Sequence, residues 1–204
     1  MRVIGSPRPA RNCFMEIFLV STASIAVGEL GDKTQLLALI LATRLRKPAP
    51  IIAGIVVATL VNHLLACLVG EWVSTLLTPN VLRWVLGISF LAVAAWALIP
   101  DKLDEDVKTR GNYGIFVLTT MTFFLAEMGD KTQIIALALA AKYDALVAVV
   151  AGTTLGMVLV NVPTVLFADR ATKWIPVKIV RVIAAVVYAI LGILTLTGYS
   201  RMTL

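Results

Sequence analysis

The chain has 204 residues, a formal charge of +6 and 59% hydrophobic residues, and its mean hydropathy of +0.92 lies far outside the range of soluble domains. That composition identifies an integral membrane protein. A nucleic-acid reader is excluded, because the lysines and arginines sit in short gaps between apolar runs rather than in a basic stripe interleaved with aromatics, and they are better read as topology signals.

The first fourteen residues, "MRVIGSPRPARNCF", differ from everything that follows. They lack the short apolar core and small-residue cleavage site of a signal peptide. The expectation is that Met15 is the physiological start and that residues 1–14 are a leader, disordered or not made. Three apolar stretches follow, at about residues 15–42, 50–70 and 80–99, then a polar linker over residues 101–112, then three more at about 113–141, 145–168 and 177–198. The second and third stretches of each set have the ~20 residues a spanning helix needs. The first is longer and is interrupted by charges, which predicts one long or locally broken helix. Asp104, Glu105 and Asp106 in the linker read as a solvated loop.

Sliding the sequence over itself by 98 residues aligns the two sets without a gap. From Ile17 to Gly54, 15 of 38 positions are identical, too many for chance similarity between greasy segments. Residues 15–100 and 113–204 are therefore two repeats. Three spans per repeat is an odd number, so the halves must lie in opposite orientations about a pseudo-twofold axis in the membrane plane. The expected fold is all-α integral membrane, six transmembrane helices as two inverted three-helix repeats. With both termini outside, the cytoplasmic gaps hold ten basic residues (Arg44, Arg46, Lys47, Lys102, Lys108, Arg110, Arg170, Lys173, Lys178, Arg181). The other side holds three (Arg83, Lys142, Arg201), or six with Arg2, Arg8 and Arg11 of the leader. The imbalance places the N- and C-termini outside the cytoplasm, in an inner or plasma membrane.

Both repeats carry charges at membrane depth: "GELGDKTQ" over Gly28–Gln35 and "EMGDKTQ" over Glu127–Gln133. Each ionisable group there costs ~3 kcal/mol on insertion scales, so it faces a polar cavity or another charge. On a continuous helix Glu29 and Asp32 share a face, and Glu29 and Lys33 are spaced to pair. Gly31 and Gly129 favour local unwinding, and Thr34, Gln35, Thr132 and Gln133 add neutral oxygens. Inverted symmetry lets Glu29, Asp32, Glu127 and Asp130 converge on one site, whose four carboxylates and two lysines, Lys33 and Lys131, sum to −2 when all are ionised. That balance suits a divalent cation, and oxygen donors without thiolate or imidazole suit the hard ions Mg²⁺, Ca²⁺ and Mn²⁺. Crowded carboxylates also let protons compete with the metal. The bland reading is that Glu29 with Lys33, and Glu127 with Lys131, are buried intrahelical ion pairs pinning the halves together.

Secondary candidates surround the motifs. Ser21, Thr22 and Ser24, with Thr119, Thr120 and Thr122, are placed to line an approach, although helical hydroxyls more often bond their own backbone. Asn62, His63 and Asn161 are candidate extra ligands or interhelical hydrogen bonds, the bonds being the favoured reading. Gly54, Ala58, Gly152 and Gly156 form small-residue packing faces, Pro163 marks a kink, and Cys13 and Cys67 form no framework.

The duplicated "ELGDKTQ" and "EMGDKTQ" in a six-span chain resemble the E-x-G-D-[KR]-[ST] signature of a family of cation/proton exchangers that includes bacterial manganese exporters, Golgi calcium and manganese transporters, and chloroplast manganese transporters. The resemblance covers nearly the whole chain from Met15. It implies that Glu29, Asp32, Glu127 and Asp130 bind the metal, that the task is export of Mn²⁺, with Ca²⁺ as a second cargo, in exchange for protons, and that no prosthetic group is used. The implied partners are the lipid bilayer, a divalent cation and protons, with no nucleic acid; a homo-oligomer is left open. No nucleotide-binding motif is present, so a gradient is the expected driving force. Three other readings compete: export of a small cationic organic solute, an intramembrane aspartyl hydrolase built on Asp32 and Asp130, and a structural membrane protein with buried ion pairs.

Overall fold

A computed structural model of the chain describes residues 10–99, 114–143, 145–168 and 177–197. The linker at 101–112, its three acids, and residues 1–9 of the leader lie outside the described residues; residues 10–14 form the start of the first helix. The described residues are helical with short breaks and form no strand, as expected: α1 (Ala10–Glu29), α2 (Lys33–Leu45), α3 (Pro48–Leu76), α4 (Pro79–Ala97), α5 (Ile115–Glu127), α6 (Lys131–Lys142), α7 (Leu146–Leu166) and α8 (Val177–Thr197). Proline at the first turn of α3 and of α4 starts each helix where an amide donor is not needed. Helix α2 stops at Arg46, whose N–H still donates to the Ala42 carbonyl while its φ of 50° turns the chain out of the helix.

Helices α3, α4 and α7 are each long and apolar enough to cross a membrane, and residues 14–29 with α2 make a fourth candidate as a pair bent by 72°. Helix α5 and the segment Arg181–Thr197 are apolar but shorter. By length and composition the described helices thus supply three or four spans, fewer than the six expected from the sequence. The shortfall lies in the first stretch of each repeat, where the motif divides the apolar run into two short helices, and in α8, whose apolar segment Arg181–Thr197 is short.

The two repeats are interleaved rather than set side by side. Helix α1 of the first packs on α7 of the second, α5 of the second packs on α3 of the first, and α4 pairs with α8. Small residues make these crossings close. A Cβ on Gly152 would stand 2.5 Å from the Phe18 carbonyl oxygen, and one on Gly54 would stand 3.0 Å from that of Phe116, its repeat counterpart. Gly156 meets the Thr22 carbonyl in the same way. Polarity runs opposite to that of a soluble bundle: Val57, Leu60, Val61, Leu64 and Leu68 of α3 face outward, while Thr59, Asn62 and His63 are buried. An apolar exterior around a polar interior is the arrangement a bilayer selects. Pro163 lies in the last turn of α7, where its carbonyl still accepts from the Phe167 N–H.

Candidate functional site

Both motifs break their helices at the same place and in the same way. Gly31 and Gly129 each adopt φ of 75°, a left-handed conformation that costs a side-chain-bearing residue about 1–2 kcal/mol. Helix α1 therefore ends at Glu29 and α5 at Glu127, while α2 and α6 restart at the lysines with Asp32 and Asp130 as their N-cap residues. The loosened backbone is tied down by the glutamine six residues after each glutamate. The Gly31 N–H donates to Gln35 Oε1 at 2.8 Å, and the Gly129 N–H to Gln133 Oε1 at 2.7 Å. Each glutamine then reaches into the other repeat: Gln35 Nε2 donates to Thr164 Oγ1 at 3.1 Å, and Gln133 Nε2 to Asn62 Oδ1 at 2.6 Å.

The charges cross between repeats as well. Lys33 Nζ lies 2.8 Å from Asp130 Oδ1, and Lys131 forms the reciprocal ion pair with Asp32. The intrahelical pairing of Glu29 with Lys33, and of Glu127 with Lys131, is thereby corrected. Helical spacing does not apply across a break, so Glu29 and Asp32 do not share one helix face either. Glu29 instead accepts from Asn161 Nδ2 of α7 at 3.4 Å, and Glu127 accepts from Thr132 Oγ1 at 3.0 Å. Asp130 caps α6 by accepting from the Thr132 N–H, and the single hydroxyl proton of Thr132 is shared between Glu127 and the Asp130 carboxylate.

All four carboxylates are buried, and Glu29 lies within electrostatic reach of Glu127, Asp32 and Asp130. The four acids therefore lie in one buried charged region. Glu29 Oε2, Glu127 Oε1, Thr34 Oγ1 and Asn161 Oδ1 are buried oxygens with no hydrogen-bond partner among the described residues. Their chemistry, hard oxygen from carboxylate, hydroxyl and amide, fits a hard cation. As the side chains stand, no three His, Cys, Asp or Glu groups among the described residues are grouped closely enough to hold a metal, and the two aspartates are engaged by lysines.

The remaining sequence candidates divide. Thr22, Thr119, Thr120 and Thr122 each donate to the carbonyl four residues back, the local bond anticipated for helical hydroxyls; Ser21 is buried with its hydroxyl unpartnered among the described residues. Asn62 makes the expected interhelical bonds, donating to the Phe124 carbonyl at 3.3 Å. His63, the repeat counterpart of Asn161, is buried with neither ring nitrogen hydrogen-bonded among the described residues.

Three contributors were not anticipated. Thr164 holds Gln35. Tyr188 of α8 is fully buried, donates to the Ser24 carbonyl at 2.7 Å, and lies within electrostatic reach of Glu29, Asp32 and Asp130. Its signal was a lone phenol in the apolar run from Val182 to Leu194, standing where the first repeat has Phe90. Arg181, counted in the sequence as a loop cation, lines a small crevice with Asp32, Lys131 and Gly28. The two larger clefts, of about 310 and 350 Å³, are lined by other residues, at the ends of α3 with α6 and of α2 with α7.

Comparison with known proteins bears on the same repeats. A protein of Vibrio cholerae named "Putative manganese exporter" is 48% identical over 201 residues, covering 96% of this chain and 98% of that one. A GDT1-like protein of Synechocystis is 28% identical over 199 residues, covering 87% and 95%. A GDT1-like protein of Oryza sativa subsp. indica is 29% identical over 168 residues, covering 69% of this chain and 59% of its own. No solved structure matches. The family profile described as "Divalent cation/proton antiporter GDT1" matches twice, over residues 17–105 and again over 115–203. With both halves of the chain matched, each containing one complete motif, this protein belongs to the GDT1 family of divalent cation/proton antiporters.

Proposed function

We propose that the protein is a secondary transporter that exports Mn²⁺, with Ca²⁺ as a second cargo, from the cytoplasm in exchange for protons. It does so with six membrane crossings in two inverted repeats and with both termini outside. The bent pair α1/α2, its counterpart α5/α6, and α8 each make one crossing, which with α3, α4 and α7 brings the count to six. Glu29, Asp32, Glu127 and Asp130 carry the cation. The supporting observation is a pair of equivalent helix breaks, one from each repeat, that bury four carboxylates and set Asp32, Glu127 and Asp130 within electrostatic reach of Glu29. Manganese is favoured over other hard ions by the name of the Vibrio cholerae relative.

Mechanistically, the break supplies what a continuous helix cannot. It leaves polar backbone and N-cap aspartates inside the bundle, where a cation can exchange water for carboxylate oxygen. Clustered acids take up protons when the metal leaves, which couples the two flows. Rocking of one repeat against the other exposes the shared site to each side in turn.

A structural role has one observation in its favour, since the crossed Lys–Asp pairs also clamp the halves together. The two readings separate in a gene deletion. A transporter predicts manganese sensitivity and raised cell manganese, restored by the wild-type gene and not by D32N or D130N. A clamp alone predicts unchanged metal content in the deletion.

A further inference from the structure

We propose that Lys33 and Lys131 are tethered cations that hold the site aspartates between cargo ions and are displaced by the incoming divalent ion. The inference rests on the acidic site proposed for the cation and assigns the lysines a part in it.

Geometry motivates the assignment. Each lysine directly follows the aspartate of its own repeat yet pairs with the aspartate of the other. Both are the first residues of their helices, where the positive end of the helix dipole disfavours a cation. Their position is thus unfavourable locally and is offset by the partner across the repeat interface. Two ammonium groups together carry the charge of one divalent ion and are offered to two of the four carboxylates that ion would need. Two of the four carboxylates are thus held by lysines, and no three acids among the described residues are grouped around a common centre. A lysine on a flexible stem can withdraw when a more highly charged ion arrives; a fixed guanidinium fork is less suited to this.

The two pairs are unequal. The Lys33 side chain is 24% exposed and that of Lys131 only 4%, so one pair is reachable from outside the bundle while the other is sealed. In an inverted repeat, exchange of the two local conformations produces the opposite-facing state. Lys33 and Lys131 would then trade places as the open and the sealed pair, and the lysine on the open side would yield first.

Equilibrium dialysis of the purified full-length protein against Mn²⁺, with bound metal quantified, tests the proposal. K33Q and K131Q remove the competitor, so both are expected to bind Mn²⁺ on the order of tenfold more tightly while export turns over more slowly; K33R, whose guanidinium fork withdraws less readily, is expected to bind more weakly than wild type. Unchanged or weaker binding in folded K33Q, alongside lost binding in D130N, overturns the lysine role and leaves the acidic site standing. Binding in D32N and D130N equal to wild type removes both. Acylation of Lys33 in the wild-type protein serves if K33Q does not fold: saturating Mn²⁺ is expected to speed its labelling, and no change or slower labelling overturns the proposal.

Discussion

Gly129 separates two reasons for a glycine. A Cβ there would meet nothing within 4 Å, so the residue is needed for its φ of 75° alone, whereas Gly152 in a regular helix is needed for the space beside Phe18. G129A is expected to cost about 1–2 kcal/mol, read as a lower thermal midpoint of the purified protein, and G129N less, because asparagine enters the left-handed region more readily. Equal midpoints for G129A and wild type would mean that the break is not held at this angle. The break itself was legible in the sequence, because a glycine set among charges in an apolar run loosens the helix where polar groups must be accommodated. The partners of the lysines were not. Helical spacing assigned them to Glu29 and Glu127, and that spacing fails once the chain turns at the glycine.

At the scale of elements, the interleaving of repeats decides which groups meet. Helix α7 brings Asn161 to Glu29, and α3 brings Asn62 to Gln133, so each broken helix is braced by the unbroken second helix of the other repeat. N161A removes the donor to Glu29 Oε1 and is expected to weaken Mn²⁺ binding about fivefold, the equivalent of ~1 kcal/mol for one hydrogen bond; dialysis of the folded variant measures it. Unchanged affinity would place Glu29 outside the site. The small-residue faces were readable from the spacing of Gly54, Ala58, Gly152 and Gly156, since close helix approach leaves a compositional trace. Which helix each face meets was not, because nothing in a single helix encodes its neighbour across a duplicated interface. Tyr188 escaped for the same reason: its role depends on Gly28 of α1 lying opposite it.

For the molecule as a whole, the duplication carried the most information. It set the helical fold, the pairing of motifs and the expectation of inversion, and the family match falls separately on each half. The number of crossings was less legible, because a broken span of two short helices satisfies neither the length nor the continuity of an ordinary one. The central claim is that acids from both halves form a single pathway that exchanges Mn²⁺ for protons. It is tested most directly in liposomes containing the purified protein, with Mn²⁺ entry and internal pH followed together after an imposed pH gradient. Wild-type protein is expected to accumulate Mn²⁺ as protons leave, and D32N and D130N, one change in each half, to do neither. Mn²⁺ entry without proton movement, or undiminished exchange in either variant, would contradict the account.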